Sequence, residues 1–134
     1  MTKQKVFILI PLAIIIGFLI YSWFTFLFTD LLATWRHYLA VGLFAIVIFL
    51  FFKNPAKAII ATIIYLLIGT SNLLALTPSI TSGSYGLKIG PAEIWTPAFQ
   101  PLSFGILILF CILNFDSLVN IYLDYKEAKN LKKK

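Results

Sequence analysis

Long uncharged runs alternate with short polar punctuation along this chain. From Val6 to Thr29 no charged side chain interrupts a run of aliphatic and aromatic residues, and a second uncharged run extends from Tyr38 to Phe52. A third runs from Pro55 to Leu76 with only Lys57 near its start, and a fourth from Pro101 stays uncharged until Asp116. A helix rises 1.5 Å per residue, so about 20 apolar residues cross a hydrocarbon core of roughly 30 Å. The pattern predicts an all-α integral membrane protein of one domain, with four transmembrane helices in a compact bundle at about 6–28, 33–52, 55–76 and 101–123. Tyr38–Phe52 alone gives only about 22 Å of helix. The second span is therefore expected to reach back through Leu31–Trp35, with Arg36 snorkelling outward.

The punctuation is as informative as the runs. In the Lys53–Lys57 turn, Asn54 is placed to cap the next helix and Pro55 to occupy its first position. Residues Thr77–Gln100 form the long loop, in which Tyr85, Leu87 and Ile89 alternate with small or polar residues before Gly90-Pro91 and Ala92–Trp95. A Gly-Pro turn there predicts a short β-hairpin pairing Lys88 with Glu93 and Leu87 with Ile94, with Trp95 and Phe99 covering one face. Pro11 sits near the start of the first span, where a kink is of modest cost or is met by neighbours, and Ala13, Gly17 and Tyr21 form a seam suited to helix packing. In the third span Ala58, Thr62, Tyr65, Gly69 and Asn72 share an expected inward face.

The fourth run differs from the others. It passes through Asp116, Ser117, Asn120 and Asp124 without an evident helix breaker, so one continuous helix is expected through residue 123. At 100° per residue Asp116, Ser117, Asn120, Asp124 and Glu127 cover an arc of roughly 100°, and Phe115, Leu118, Val119, Tyr122 and Leu123 a separate arc of about 140°. The last helix should thus leave the bilayer as an amphipathic extension, followed by a basic tail over residues 124–134.

Composition agrees with a membrane class. Of 134 residues 60% are hydrophobic and 12% charged, against about 25% charged in a soluble domain. With both termini inside, the inner side carries Lys3, Lys5, Lys53, Lys57, Lys126, Lys129, Lys132, Lys133 and Lys134, and the outer side Arg36 and Lys88. That asymmetry orients the chain with cytoplasmic termini and an extracytoplasmic 77–100 loop. Short inner turns and the lysine bias suit a bacterial cytoplasmic membrane. Because the +6 charge sits at the ends of spans, it points to anionic lipid and not to nucleic acid. The run from Val6 is about twice a signal-peptide core and ends in no small-x-small site, so it is read as a retained helix.

Candidate chemistry is sparse. The lone Cys111 lies within the fourth run and is read as a packing residue. The sequence contains no phosphate-binding glycine loop, no His/Cys/carboxylate cluster with metal-ligand spacing and no recognisable nucleophile-base motif, so neither cofactor nor catalysis is expected. Small multidrug transporters and small fluoride channels are of similar size. The first span lacks the embedded glutamate of the former, and the polar motif of the latter has no counterpart here.

Arg36 and His37, beside Trp35 and Tyr38, are candidates for contacting a lipid headgroup, against the plainer reading of an aromatic belt with a snorkelling arginine. Asp116, Asn120, Asn114, Asn72, Tyr65 and Thr62 are candidate interaction or pathway residues. For Asp116 three readings stand: a cation or proton site, a pair with Lys53 or Lys57, or a carboxylate reaching cytoplasmic water. The expected function is a non-catalytic membrane subunit or accessory protein that docks partner helices and a cytoplasmic partner. The alternative is a small homo-oligomeric channel or transporter with Asp116 near its pathway.

Overall fold

The computed structural model describes residues 3–79, 86–89, 92–95 and 99–131. The chain forms α1 (Lys3–Phe28), α2 (Trp35–Lys53), α3 (Pro55–Thr70), the strands β1 (Gly86–Ile89) and β2 (Ala92–Trp95), then α4 (Pro101–Leu113) and α5 (Phe115–Leu131). It is essentially all-helical. Two helices, α1 and α2, are long and apolar enough to cross a membrane, and the bent pair α4–α5 gives a third if taken as one broken span. The shorter α3 is also apolar and, at 16 residues, about 24 Å long.

Local signals explain most of the helix ends. Thr34 precedes α2, and His37 at its third position accepts the Thr34 backbone N–H on Nδ1 at 3.1 Å, the role that Glu or Gln plays in a capping box. Asn54 separates α2 from α3; its Oδ1 accepts the Lys57 N–H at 3.2 Å, and Pro55 takes the first helical position.

Two boundaries differ from the sequence expectation. The third helix ends at Thr70 and not near Leu76. Asn72 adopts a left-handed φ of 63° and donates its N–H to Gly69, while the Leu73 N–H reaches Ile68, a Schellman termination. The fourth helix does not continue through Asp116 either. It stops at Leu113, and α5 departs from it by 73°.

Packing runs α2 against α3, α3 against α4 and α4 against α1, with α5 touching α3 and α4. The core holds Ile8, Leu12, Ile15 and Leu19 of α1, Ala40, Phe44, Val47 and Phe51 of α2, Ala58, Ile59 and Leu66 of α3, and Ile106 and Phe110 of α4. In α1, α2 and α4 these positions recur every three or four residues, and in α3 they share one side with Thr62 and Tyr65, so each of these helices buries one stripe and leaves its remaining apolar surface exposed. Gly69 brings α3 and α4 close. A Cβ there would sit 2.9 Å from the Ser103 Oγ.

The Ala13–Gly17–Tyr21 seam faces outward instead of packing, and nothing lies within 4 Å of where a Gly17 Cβ would be. The larger side chains of the opposite stripe bury more area, and they take the interface. The strands pair antiparallel, with Lys88 opposite Glu93 and Leu87 opposite Ile94. The Gly90-Pro91 turn, the cover expected from Trp95 and the terminal lysines 132–134 lie outside the described residues.

Candidate functional site

Polar side chains gather at the two ends of the helices. At one end, the segment after α3 runs across the tops of α1 and α2 with Leu74, Ala75 and Leu76 buried. A buried non-helical backbone must find hydrogen-bond partners, and four residues supply them here. Ser22 of α1 donates to the Leu76 carbonyl at 2.7 Å. The Ala75 N–H reaches the Arg36 carbonyl at 3.4 Å, and His37 Nε2 lies 3.0 Å from the Thr77 carbonyl. Gln100, just before α4, donates to the Leu74 carbonyl at 2.6 Å and to the Asn72 Oδ1 at 3.0 Å. The Ser103 hydroxyl in turn donates to the Gln100 Oε1 at 3.2 Å.

His37 is therefore a clasp between α2 and this strap. Its ring is 2% exposed and edge-on to Phe26, with centroids 4.7 Å apart. Because Nδ1 accepts from the Thr34 N–H, the network assigns the ring proton to Nε2, which donates to Thr77. Both ring nitrogens are thus engaged within the chain. Arg36, half-buried, sets its guanidinium 5.6 Å from the Trp35 ring centre, and Trp35 and Tyr38 are exposed. Asn72, expected on the polar face of the third span, instead turns the chain and accepts from Gln100.

At the other end, α1 and the α4–α5 break meet. Pro11 has no N–H, so the Phe7 carbonyl loses its ordinary i→i−4 partner. Asn114 fills that gap: its Nδ2 donates to the Phe7 carbonyl at 3.2 Å and to the Phe110 carbonyl at 3.1 Å. The residue is 1% exposed, and its Oδ1 is buried without a partner. A side-chain amide bound to a carbonyl over a hundred residues earlier holds the break that the sequence pattern did not reveal.

The break also relocates the acidic residues. Asp116 lies in the first turn of α5, where an acid suits the positive end of the helix dipole, and it is exposed together with Asn120 and Asp124. Among the described residues no ion pair ties Asp116 to Lys53 or Lys57.

Thr62 and Tyr65 lie on the buried stripe of α3. The Thr62 hydroxyl donates to the Ala58 carbonyl at 2.7 Å, whereas the Tyr65 hydroxyl is buried without a partner. Beside Tyr65 a cleft of about 150 Å³ runs between α2 and α3, lined by Leu43, Val47, Ala61 and Ile68. A larger groove of about 450 Å³ opens between α1 and α2, walled by Ile16, Leu19, Ile20, Trp23, Val41 and Phe44. Its aliphatic and aromatic walls offer contact area.

Ser22, Gln100 and Ser103 were not singled out by the sequence pattern. Only Gln100 carried a local signal, standing immediately before Pro101 at a helix start. Among the described residues no group of three or more His, Cys, Asp or Glu is placed to hold a metal ion. Comparison with family models, with curated proteins and with solved structures finds no match for this chain.

Proposed function

We propose that this chain is a non-catalytic integral membrane subunit or accessory protein. In this reading α1 to α4 cross the membrane as a compact four-helix bundle with both termini cytoplasmic and the hairpin extracytoplasmic, in a bacterial cytoplasmic membrane. At about 20 Å, α4 is short for the crossing. The buried strap at one end and Phe115 at the other add depth, and non-helical backbone is tolerated at such depth where protein covers it.

One observation carries the docking role: α5 projects from the bundle with Asp116, Asn120, Asp124 and Glu127 exposed along one side. That side offers carboxylates to a basic cytoplasmic partner, while the outward small-residue seam of α1 and the α1–α2 groove leave room for partner helices. Native mass spectrometry after mild extraction from the source membrane tests the proposal. A stoichiometric second protein, retained by the wild type and lost in an Asp116→Asn, Asp124→Asn, Glu127→Gln variant of unchanged melting temperature, is the expected result.

A partner-free oligomer of fixed copy number would overturn it in favour of a small homo-oligomeric channel or transporter. That reading draws on the unpartnered Tyr65 hydroxyl on the inward stripe of α3. It predicts ion flux that Asp116→Asn abolishes without loss of assembly.

A further inference from the structure

The charges of α5 are sorted by face. Taking Phe115 as origin and 100° per residue, Phe115, Val119, Tyr122 and Leu123 fall in an arc of roughly 120° that also contains Lys126 and Lys129. Asp116, Asn120, Asp124 and Glu127 occupy a separate arc of roughly 80°. The four apolar side chains are exposed, with Phe115 and Tyr122 each 64% accessible. The bundle takes a third side of the helix, through the half-buried Leu118 and Ile121. From Phe115 to Asn130, Lys126 and Lys129 therefore share a face with exposed apolar side chains, and the carboxylates of Asp116, Asp124 and Glu127 lie on a face that has none.

Geometry adds a direction. The 73° turn at Asn114 carries α5 close to perpendicular to α4. If α4 crosses a bilayer, α5 runs nearly along its surface, at the end where α3 begins and Lys53 and Lys57 are exposed. We propose that α5 is an interfacial helix bound to an anionic phospholipid surface. Its Phe115–Val119–Tyr122–Leu123 face is sunk among the acyl chains near the headgroups, and Lys126 and Lys129 reach up to lipid phosphates. The inference rests on the membrane reading above and specifies the ligand of its inner face.

Charge complementarity selects this occupant. Lipid phosphates satisfy lysines that rise from an apolar face. A second copy of α5 laid on the same face would offer these lysines only apolar side chains and further lysines, and no anion. The acidic side is then turned to the cytoplasm, where the docking role needs it.

The test uses the full chain carrying Cys111→Ser and single nitroxide-labelled cysteines at Val119, Tyr122, Asn120 and Asp124. The protein is reconstituted in phosphatidylcholine vesicles with and without phosphatidylglycerol. Collision rates with oxygen and with a water-soluble nickel chelate report depth. Positions 119 and 122 are expected to favour oxygen and positions 120 and 124 nickel, with 119 and 122 moving deeper when phosphatidylglycerol is present. Lys126→Gln with Lys129→Gln should abolish that added depth.

Nickel access at all four positions would overturn the proposal by placing α5 in water. Protection of 119 and 122 from both reagents would overturn it in favour of a protein partner or a second copy. A depth indifferent to phosphatidylglycerol would overturn the anionic recognition. Labels at Ile46 and Phe49, on the exposed face of α2, separate this failure from that of the membrane reading, because they favour oxygen whenever α2 is embedded.

Discussion

Pro11 and Asn114 should behave as one unit. Pro11 cannot donate to the Phe7 carbonyl, and the Asn114 Nδ2 reaches it at 3.2 Å from the break between α4 and α5. Asn114→Ala leaves that part-buried carbonyl unpaired, a loss of about 1–3 kcal/mol in a protein core and ~0.6 kcal/mol for average side-chain bonds between membrane helices. The same substitution also removes the Oδ1, which is buried without a partner, so part of the loss is offset. The single variant therefore reads a difference of two effects.

A double-mutant cycle with Pro11→Ala separates them. Ala at position 11 restores an N–H one turn from Phe7, so the carbonyl no longer depends on Asn114. Relief of the orphan Oδ1 and any packing loss at position 11 occur on both sides of the cycle and cancel. Reversible unfolding in bicelles should show Asn114→Ala costing about 1 kcal/mol less in the Pro11→Ala background than in the wild type. Equal costs in the two backgrounds would refute the claim that Asn114 stands in for the missing amide.

Three further outcomes follow from the other end of the molecule and from the α3–α4 contact. Gly69→Ala places a methyl 2.9 Å from the Ser103 Oγ, so thermal unfolding should show a loss of about 1–3 kcal/mol, partly recovered by adding Ser103→Ala. His37→Ala removes the partners of the Thr34 N–H and the Thr77 carbonyl. It should cost about 2–4 kcal/mol and expose the 73–79 strap to proteolysis, whereas unchanged protease resistance would count against the clasp. Gln100→Leu keeps the bulk but strands the Leu74 carbonyl, so it should destabilise by about 1–3 kcal/mol in the same unfolding assay.

What the sequence could and could not reveal divides along physical lines. α1 and α2 were legible because an uncharged run long enough to cross the hydrocarbon core is hard to bury anywhere but in lipid. The Asn54-Pro55 helix start was legible because capping is local chemistry. Asn114 was not: it is neither proline nor glycine, and the bond that holds the break comes from Phe7, remote in sequence.

Asn72 misled for the opposite reason. Its spacing matched the polar stripe of α3, but asparagine tolerates left-handed φ and here ends the helix two residues after the last residue of α3. The exposed Ala13–Gly17–Tyr21 seam shows that small residues at helical spacing mark only where close approach is allowed. Which stripe is buried was decided by the larger side chains of the opposite face. Among the candidate residues, His37, Asn72 and Asn114 are engaged in tying segments together, while Asp116 and Asn120 are displayed on α5.

Everything proposed for α5 depends on α4 carrying the chain through the membrane instead of dipping in and returning. Cysteine labelling with a membrane-impermeant maleimide decides this in intact cells and in inverted vesicles, with single cysteines at Ser79 and Asp124 in a Cys111→Ser background. Ser79→Cys should label only from outside and Asp124→Cys only from inside. Labelling of both positions from the same side would make α4 and α5 a re-entrant pair and would contradict the proposed topology.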